Sequence, residues 1–420
     1  MTQAAPSLAC PPRILVVGTV DTKSDEIGFL CEQVRAAGGV PQVMDVGVLG
    51  SGRIAPDVRN TDVAAAAGLS LQQVMDSGDE NSAMHHMATG ASALAARMHA
   101  DDRIDGLLVL GGTMGTDLAL DVASALPLGV PKVVLSTVSF SPLLPPERLP
   151  PDLMMVLWAG GLYGLNSLCR SALAQAAGAV VGACRVAHAP RFDRPVIGMT
   201  SLGSSALKYM VHLKPALEQR GYELAVFHTT GMGGRAFESL AAQGRFACVM
   251  DFSLQELVNH LGGSIVSAGA DRLCGAGRAG VPQIVAPGAT DMVDYPAWGE
   301  MPTRFAGRPA HAHNRLIASV TIDADMRREV AREVMQRLRL ATGPTALLLP
   351  LQGIEEWDRA GQPLHDPQGL AAFCDELQAL PAGAVQRQAI DCHINDEAFA
   401  QAALAQLDAW VHAGVVPRSA

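Results

Sequence analysis

Ile14-Leu15-Val16-Val17-Gly18-Thr19-Val20-Asp21-Thr22-Lys23 decides the reading of this chain. Its four consecutive apolar residues suit a parallel strand covered on both faces. The small polar stretch that follows, set before a helical segment, has the make-up of a strand-to-helix loop that handles phosphate. Gly106-Leu107-Leu108-Val109-Leu110, running into Gly111-Gly112-Thr113-Met114-Gly115-Thr116, repeats the arrangement. Two such loops at the ends of two buried parallel strands meet across one crevice, which is where open α/β sheets bind ligands.

Working outward, Ser24 and Asp25 offer N-cap chemistry to a helix over 26–37 that stops at Gly38-Gly39. An apolar segment over 40–48 completes a strand–helix–strand unit with a right-handed crossover. Residues 57–78 are polar and Ala-rich, and read as an excursion without a strand. Periodicity predicts a helix over 81–99, and Thr116 and Asp117 cap another that runs to 126. Strands follow at 131–136 and 153–159, and Gly160-Gly161-Leu162-Tyr163-Gly164-Leu165-Asn166 opens a long helix of small residues. A proline-flanked polar segment at 188–195 divides the chain into domains over 1–190 and 191–420. The second half repeats the grammar: strands at 196–200, 223–228, 246–251, 282–286 and 345–350, and helices at 206–220, 325–340 and 396–412. This alternation points to two α/β domains with mainly parallel sheets.

The 420 residues are 49% hydrophobic but only 4% aromatic, so the cores are filled with Ala, Val, Leu, Met and Gly. With 31 Lys and Arg against 41 Asp and Glu the net charge is −10, which excludes a general nucleic-acid binder because phosphate backbones demand a basic face. Eight cysteines without a Cys-x-x-Cys pair indicate neither zinc ribbon nor disulfide framework. Residues 1–12 lack the basic and apolar regions of a signal peptide, and no stretch suits a bilayer. A cytoplasmic protein with reduced thiols and no membrane partner is expected.

Neither glycine loop matches the Walker or dinucleotide pattern, so chemistry must be argued residue by residue. Thr19 and Thr22 suit hydrogen bonds to phosphate oxygens, Lys23 suits their neutralisation, and Asp21 suits a magnesium ion held through water. The competing reading is that Asp21 and Thr22 cap the helix while Lys23 is solvated, and Gly111–Thr116 has its own, a tight turn capped by Thr116. Arg53 is a candidate phosphate or carboxylate clamp. Asn166 and Arg170, one helical turn apart, are candidates for the same crevice. In the second half Ser201, Ser204 and Ser205, and Thr229, Thr230, Gly231 and Arg235, suit an anionic group. His228 beside those serines lacks the G-x-S-x-G turn of a hydrolase. Asp291 follows a strand end. His311 and His313, two apart on a strand, could chelate a metal or polarise a substrate. His393 is placed to face the second domain's crevice.

Gly18-Thr-Val-Asp-Thr-Lys23, Gly111-Gly-Thr-Met-Gly-Thr116, Gly164-Leu-Asn-Ser167, His228-Thr-Thr-Gly-Met-Gly-Gly-Arg235, Asp291-Met-Val293 and His393-Ile-Asn-Asp396 occur in this order. Together they resemble an uncharacterised family of bacterial, fungal and plant proteins that includes the ATP-binding amino-terminal region of a tomato inhibitor of tobamovirus replication. The resemblance implies two Rossmann-like, doubly wound domains, self-association into dimers, and ATP held by Thr19, Asp21, Thr22, Lys23, Gly111, Gly112, Thr113 and Thr116, and Gly18 and Gly115 of the same loops are expected beside it. Trp158-Ala-Gly-Gly-Leu-Tyr163 departs from the family pattern.

The expectation is therefore an ATP- and Mg-binding protein acting on a small, carboxylate-bearing substrate in the interdomain cleft. Asp21, Lys23, His311 and His393 are its candidate catalytic residues. One alternative is a nucleotide-sensing or partner-binding module without turnover. Another is a metal-assisted lyase or hydrolase centred on the three histidines.

Overall fold

The computed structural model describes residues 10–187, 190, 193–203 and 205–418. The chain forms two compact units, Met1–Arg191 and Phe192–Ala420. Residues 1–9, residues 188–189 and 191–192 of the expected junction, and Ser204 lie outside the described residues.

The first unit runs β1 (Arg13–Gly18), α1 (Val20–Ala36), β2 (Val40–Asp45), α2 (Asn60–Ala66), α3 (Leu71–Met75), α4 (Glu80–Ala100), β3 (Gly106–Gly111), α5 (Thr113–Ser124), β4 (Lys132–Ser136), β5 (Leu153–Leu157) and α6 (Ser167–Val186). Its strands form one five-stranded parallel sheet in the order β2-β1-β3-β4-β5. The alternation of strand side chains explains the unbroken apolar runs. Leu15, Val17, Leu107 and Val109 pack under α4 and α5, while Ile14, Val16, Leu108 and Leu110 pack against α1 and α6. Helices on both faces make the unit doubly wound.

Two local expectations differ. The segment over 57–78 contains two short helices, α2 and α3, the second closed by a Ser70–Gln73 capping box. Helix α5 starts at Thr113 with Gly112 as N-cap, four residues before the expected cap Thr116.

The second unit runs β6 (Val196–Ser201), α7 (Met210–Gln219), β7 (Glu223–His228), α8 (Met232–Ala242), β8 (Cys248–Asp251), α9 (Gln255–Leu261), α10 (Gly275–Arg278), β9 (Gln283–Val285), β10 (Met292–Pro296), β11 (Ala310–Ala312), β12 (Ile317–Thr321), α11 (Ala324–Leu338), β13 (Thr345–Pro350), α12 (Pro367–Ala379), β14 (Gln386–Ile390) and α13 (Glu397–His412). Six strands form a parallel sheet in the order β14-β13-β9-β8-β6-β7. Ala346 and Leu348 face α7 and α13, and Leu347 and Leu349 face α11 and α12. An antiparallel sheet, β10-β12-β11, is inserted between β9 and α11. Sequence periodicity missed it because β11 is three residues long and β10 mixes Asp294 and Pro296 into its apolar pattern. No helix among the described residues is long and apolar enough to cross a membrane.

Candidate functional site

In the order β2-β1-β3-β4-β5 the chain reverses direction between β1 and β3, and the carboxyl ends of those two strands flank the switch point at which such sheets bind ligands. A cavity of about 440 Å³ lies there. One wall is Gly18, Thr19, Asp21, Thr22 and Lys23, and the facing wall is Gly111, Gly112, Thr113, Met114 and Gly115. Val46, Val48, Leu49, Met84 and Met87 supply an apolar side.

The two loops are not equivalent. The first amide of α1, that of Val20, donates to Asp45 Oδ1 at 2.9 Å, so a carboxylate of the protein already sits at that helix end. Helix α5 has no side-chain cap. The amides of its first turn at Thr113, Met114 and Gly115 have no intrahelical acceptor, and they border the cavity with the positive end of the helix dipole. This favours α5 over α1 as the anion position. Gly111 is required for the approach: a Cβ there would lie 2.5 Å from Gly115 Cα.

Asp21 is held by its neighbours. Its Oδ2 accepts from the Leu49 amide at 2.8 Å, whereas Oδ1 is buried without a partner. Gly47 leaves room for the carboxylate, since a Cβ there would come within 2.6 Å of it. Thr19 Oγ1 and Thr22 Oγ1 are 2.8 Å apart. The backbone of α1 leaves helical geometry at Lys23 (φ −127°, ψ 27°), which marks the end of its first turn. Ser24, expected as a cap, instead bonds the Val20 carbonyl one turn back and accepts the Arg53 amide.

Four residues expected in the crevice are used elsewhere. Arg53 is exposed and paired with Asp25 at 2.9 Å. Asn166 caps α6 by accepting the Cys169 amide, and the Arg170 guanidinium lies over the Phe29 ring at 4.7 Å. Thr116 is fully buried, its hydroxyl bonding the Gly112 carbonyl and the Ser136 hydroxyl at 2.7 and 2.6 Å, so it fastens α5 to β4. Replacing it with valine would leave Ser136 short of a partner and should lower stability by about 1–2 kcal/mol. Urea denaturation checks this, and an unchanged midpoint would remove Thr116 from that role.

In the second unit the stretch Thr229–Arg235 follows β7 as expected and runs into the first turn of α8, but the anion position there is filled by the protein's own Glu256. Oε1 of Glu256 accepts the Gly231 and Gly234 amides at 2.6 and 3.0 Å. Its Oε2 accepts from Arg272 Nε at 3.0 Å. Arg272 is fully buried and also bonds Asp251, Glu238 and the Ser253 carbonyl, so one cation serves three carboxylates. Arg235 is paired with Asp271 at 2.8 Å, Thr229 is buried and bonded to Ser201 O and Ser253, and Thr230 is exposed. Ser201 and Ser205 are buried, and the Ser205 carbonyl accepts the Glu356 amide and Asn395 Nδ2. His228 Nδ1 accepts the Gly203 amide at 3.1 Å, which ties down its loop.

His393 is buried with both ring nitrogens engaged. The Asn395 amide donates to Nδ1, and Nε2 lies 2.8 Å from Glu355 O and 3.1 Å from an oxygen of Asp358. This fixes the Nε2–H tautomer and leaves no lone pair for a metal. His311 and His313 both lie against Trp357, with ring centroids at 4.1 and 6.1 Å. No group of three or more His, Cys, Asp or Glu among the described residues is placed to hold a metal ion. Asp291 is fully buried with neither carboxylate oxygen partnered, and Glu355 Oε1 is likewise alone. Their loops are joined by the Ala289 amide on the Ile354 carbonyl at 3.0 Å, with Ala289 held in the left-handed region (φ 54°). Sequence reasoning singled out Asp291 but not Glu355, Arg272 or Glu256, whose partners are distant in the chain.

Burial pushes the Glu256 carboxyl up to about 7, against the pull of Arg272 and the two glycine amides. It also raises the carboxyls of Asp291 and Glu355, which repel one another. An unfolded chain releases the Glu256 proton near its ordinary value of 4.5. Between that value and about 7 the folded unit therefore binds more protons, and its stability falls as pH rises. The second unit should accordingly melt at lower temperature at pH 7 than at pH 5. Calorimetry checks this, and a melting temperature that climbs over that interval would contradict it.

Comparison with known proteins agrees with the arrangement of two units. The model of the uncharacterised protein family UPF0261 N-terminal domain matches residues 12–189, and that of its C-terminal domain matches residues 194–411. A UPF0261 protein of Brucella melitensis is 55% identical over 405 residues, covering 96% of this chain and 97% of that one. A UPF0261 protein of Clostridium tetani is 32% identical over 393 residues, 92% of this chain and 96% of its own. The ToMV resistance protein Tm-1(GCR237) of Solanum lycopersicum is 28% identical over 415 residues, covering 93% of this chain and 55% of the tomato protein. With both domain models matched in order and a relative this similar along almost its whole length, the chain belongs to the uncharacterised protein family UPF0261.

Proposed function

We propose that the first unit binds ATP with magnesium at the β1/β3 switch point and that the protein is an enzyme using this nucleotide. The observation that carries the reading is the open cavity of about 440 Å³, which joins an uncapped helix end to an apolar wall. Its size and mixed lining suit a nucleotide. The terminal phosphates would lie at the amides of Thr113, Met114 and Gly115, with Lys23, Thr19 and Thr22 facing them from the other loop. The unpartnered Asp21 Oδ1 suits a magnesium ion that keeps most of its waters and is shared with the phosphates. Bound magnesium would supply charge neutralisation at the phosphates. Residues of this chain would supply position and hydrogen bonds, which is most of what phosphoryl or adenylyl transfer asks of a protein.

Lys23→Ala should weaken ATP binding ten- to a hundredfold, the usual worth of a charge-assisted bond. Isothermal titration with Mg-ATP measures this, and full affinity in the variant would take Lys23 out of the site. Slow ADP release from the wild-type protein, quickened by a co-substrate, separates an enzyme from a nucleotide-sensing module, which binds ATP without turnover. Self-association into a dimer belongs to the same proposal and is read by sedimentation.

A further inference from the structure

A second cavity, of about 360 Å³, adjoins the one at the switch point. The two share Glu80, Met84, Thr113 and Met114, so α4 and the first turn of α5 form a common wall. The second compartment extends toward the segment after β4, where Val138 and Leu144, with Leu120 of α5, make its lining apolar. Its charged groups are Glu80, Asp117 and Arg148. Arg148 is bound to both Asp117 and Asp121, the latter at 2.8 Å, so its guanidinium is already matched by two carboxylates. Glu80 carries no ion pair and no side-chain hydrogen bond among the described residues. The compartment therefore joins an apolar body to an acidic rim with no free cation, next to the helix end at which phosphate would lie.

We propose that this second compartment is the co-substrate site, and that its occupant is an apolar small molecule with a hydroxyl or amine head, not a carboxylate. The inference rests on the nucleotide reading of the neighbouring cavity and narrows its substrate class. A carboxylate here would meet the negative charge of Glu80, while the cation in the compartment's own lining, Arg148, is already paired with Asp117 and Asp121. A hydroxyl or amine can donate to Glu80 while its apolar part covers the methionines and leucines.

The test uses hexan-1-ol, hexylamine and hexanoate as probes, which share one apolar body and differ in the head. They are titrated into the full chain with and without Mg and a non-hydrolysable ATP analogue, and binding is followed by calorimetry. The alcohol and the amine should bind at least about tenfold more tightly than hexanoate. Glu80→Gln should narrow that preference to below about threefold. Leu144→Trp, which fills only the second compartment, should abolish probe binding while nucleotide affinity stays within about twofold, since Leu144 does not line the nucleotide cavity. Hexanoate binding as tightly as hexan-1-ol, or unchanged probe affinity in Leu144→Trp, would overturn the proposal. Probe preference that persists when the analogue itself fails to bind would overturn the nucleotide reading and leave the acidic, apolar compartment standing.

Discussion

Replacing Arg272 with alanine should cost the second unit about 3–5 kcal/mol of folding free energy, the usual price of leaving buried carboxylates without their cation. Arg272 is fully buried and binds Glu238, Asp251 and Glu256 at distances between 2.6 and 3.0 Å. Those carboxylates come from α8, β8 and α9, so one guanidinium joins three elements. Its removal leaves three acids in an interior that cannot solvate them, and it also empties the volume of a large side chain. Denaturant unfolding of the variant, followed by the second unit's tryptophans, would show the loss, and a midpoint shift equivalent to less than about 0.5 kcal/mol would refute it. Adding Glu238→Gln and Glu256→Gln should restore part of the stability, because the neutral amides no longer need a cation.

Gly111→Ala should reduce ATP affinity by about a hundredfold, as a displacement of roughly 1 Å at a binding constellation can. The new methyl would meet Gly115 Cα at 2.5 Å, Gly115 C at 2.7 Å and Thr116 N at 3.0 Å. All three are backbone atoms and cannot rotate aside. Nor can α5 slide away freely, since Thr116 is bonded to Ser136 of β4. The first turn of α5 must therefore tilt, carrying with it the amides assigned to phosphate. A variant that kept wild-type affinity for Mg-ATP would show that those amides do not hold the nucleotide.

How much of this was legible in the sequence depended on the range of the forces involved. Strands β1, β3, β6 and β13 announced themselves because doubly covered strands need apolar residues on both faces, as 14–17, 107–110, 196–199 and 346–349 have. The start of α5 was misread for a local reason. Thr116-Asp117 has the chemistry of a cap, whereas the true N-cap, Gly112, has no side chain to signal with, and the Thr116 hydroxyl bonds the Gly112 carbonyl from inside the first turn. Arg53, Asn166 and Arg170 read as candidates for the crevice because short sequence distance cannot tell a side chain that faces it from one paired with Asp25, capping α6 or lying on Phe29. The stretch Thr229–Arg235 reads in sequence as a place for an anion, and in the structure the protein's own Glu256 carboxylate lies there. What occupies it was hidden, because Glu256 arrives from a helix that begins after the next strand.

That occupied loop gives the two halves of the chain different thermodynamic characters. At the start of α8 the attraction of a helix terminus for negative charge is satisfied within the polypeptide by Glu256, so it acts on folding and answers to pH through that carboxyl, not to the concentration of an anionic ligand. At the start of α5 no side chain caps the helix, and on the proposed nucleotide reading its stabilising effect would grow with the logarithm of ligand concentration. One helix end is thus closed to anions from solution, and the other would register them.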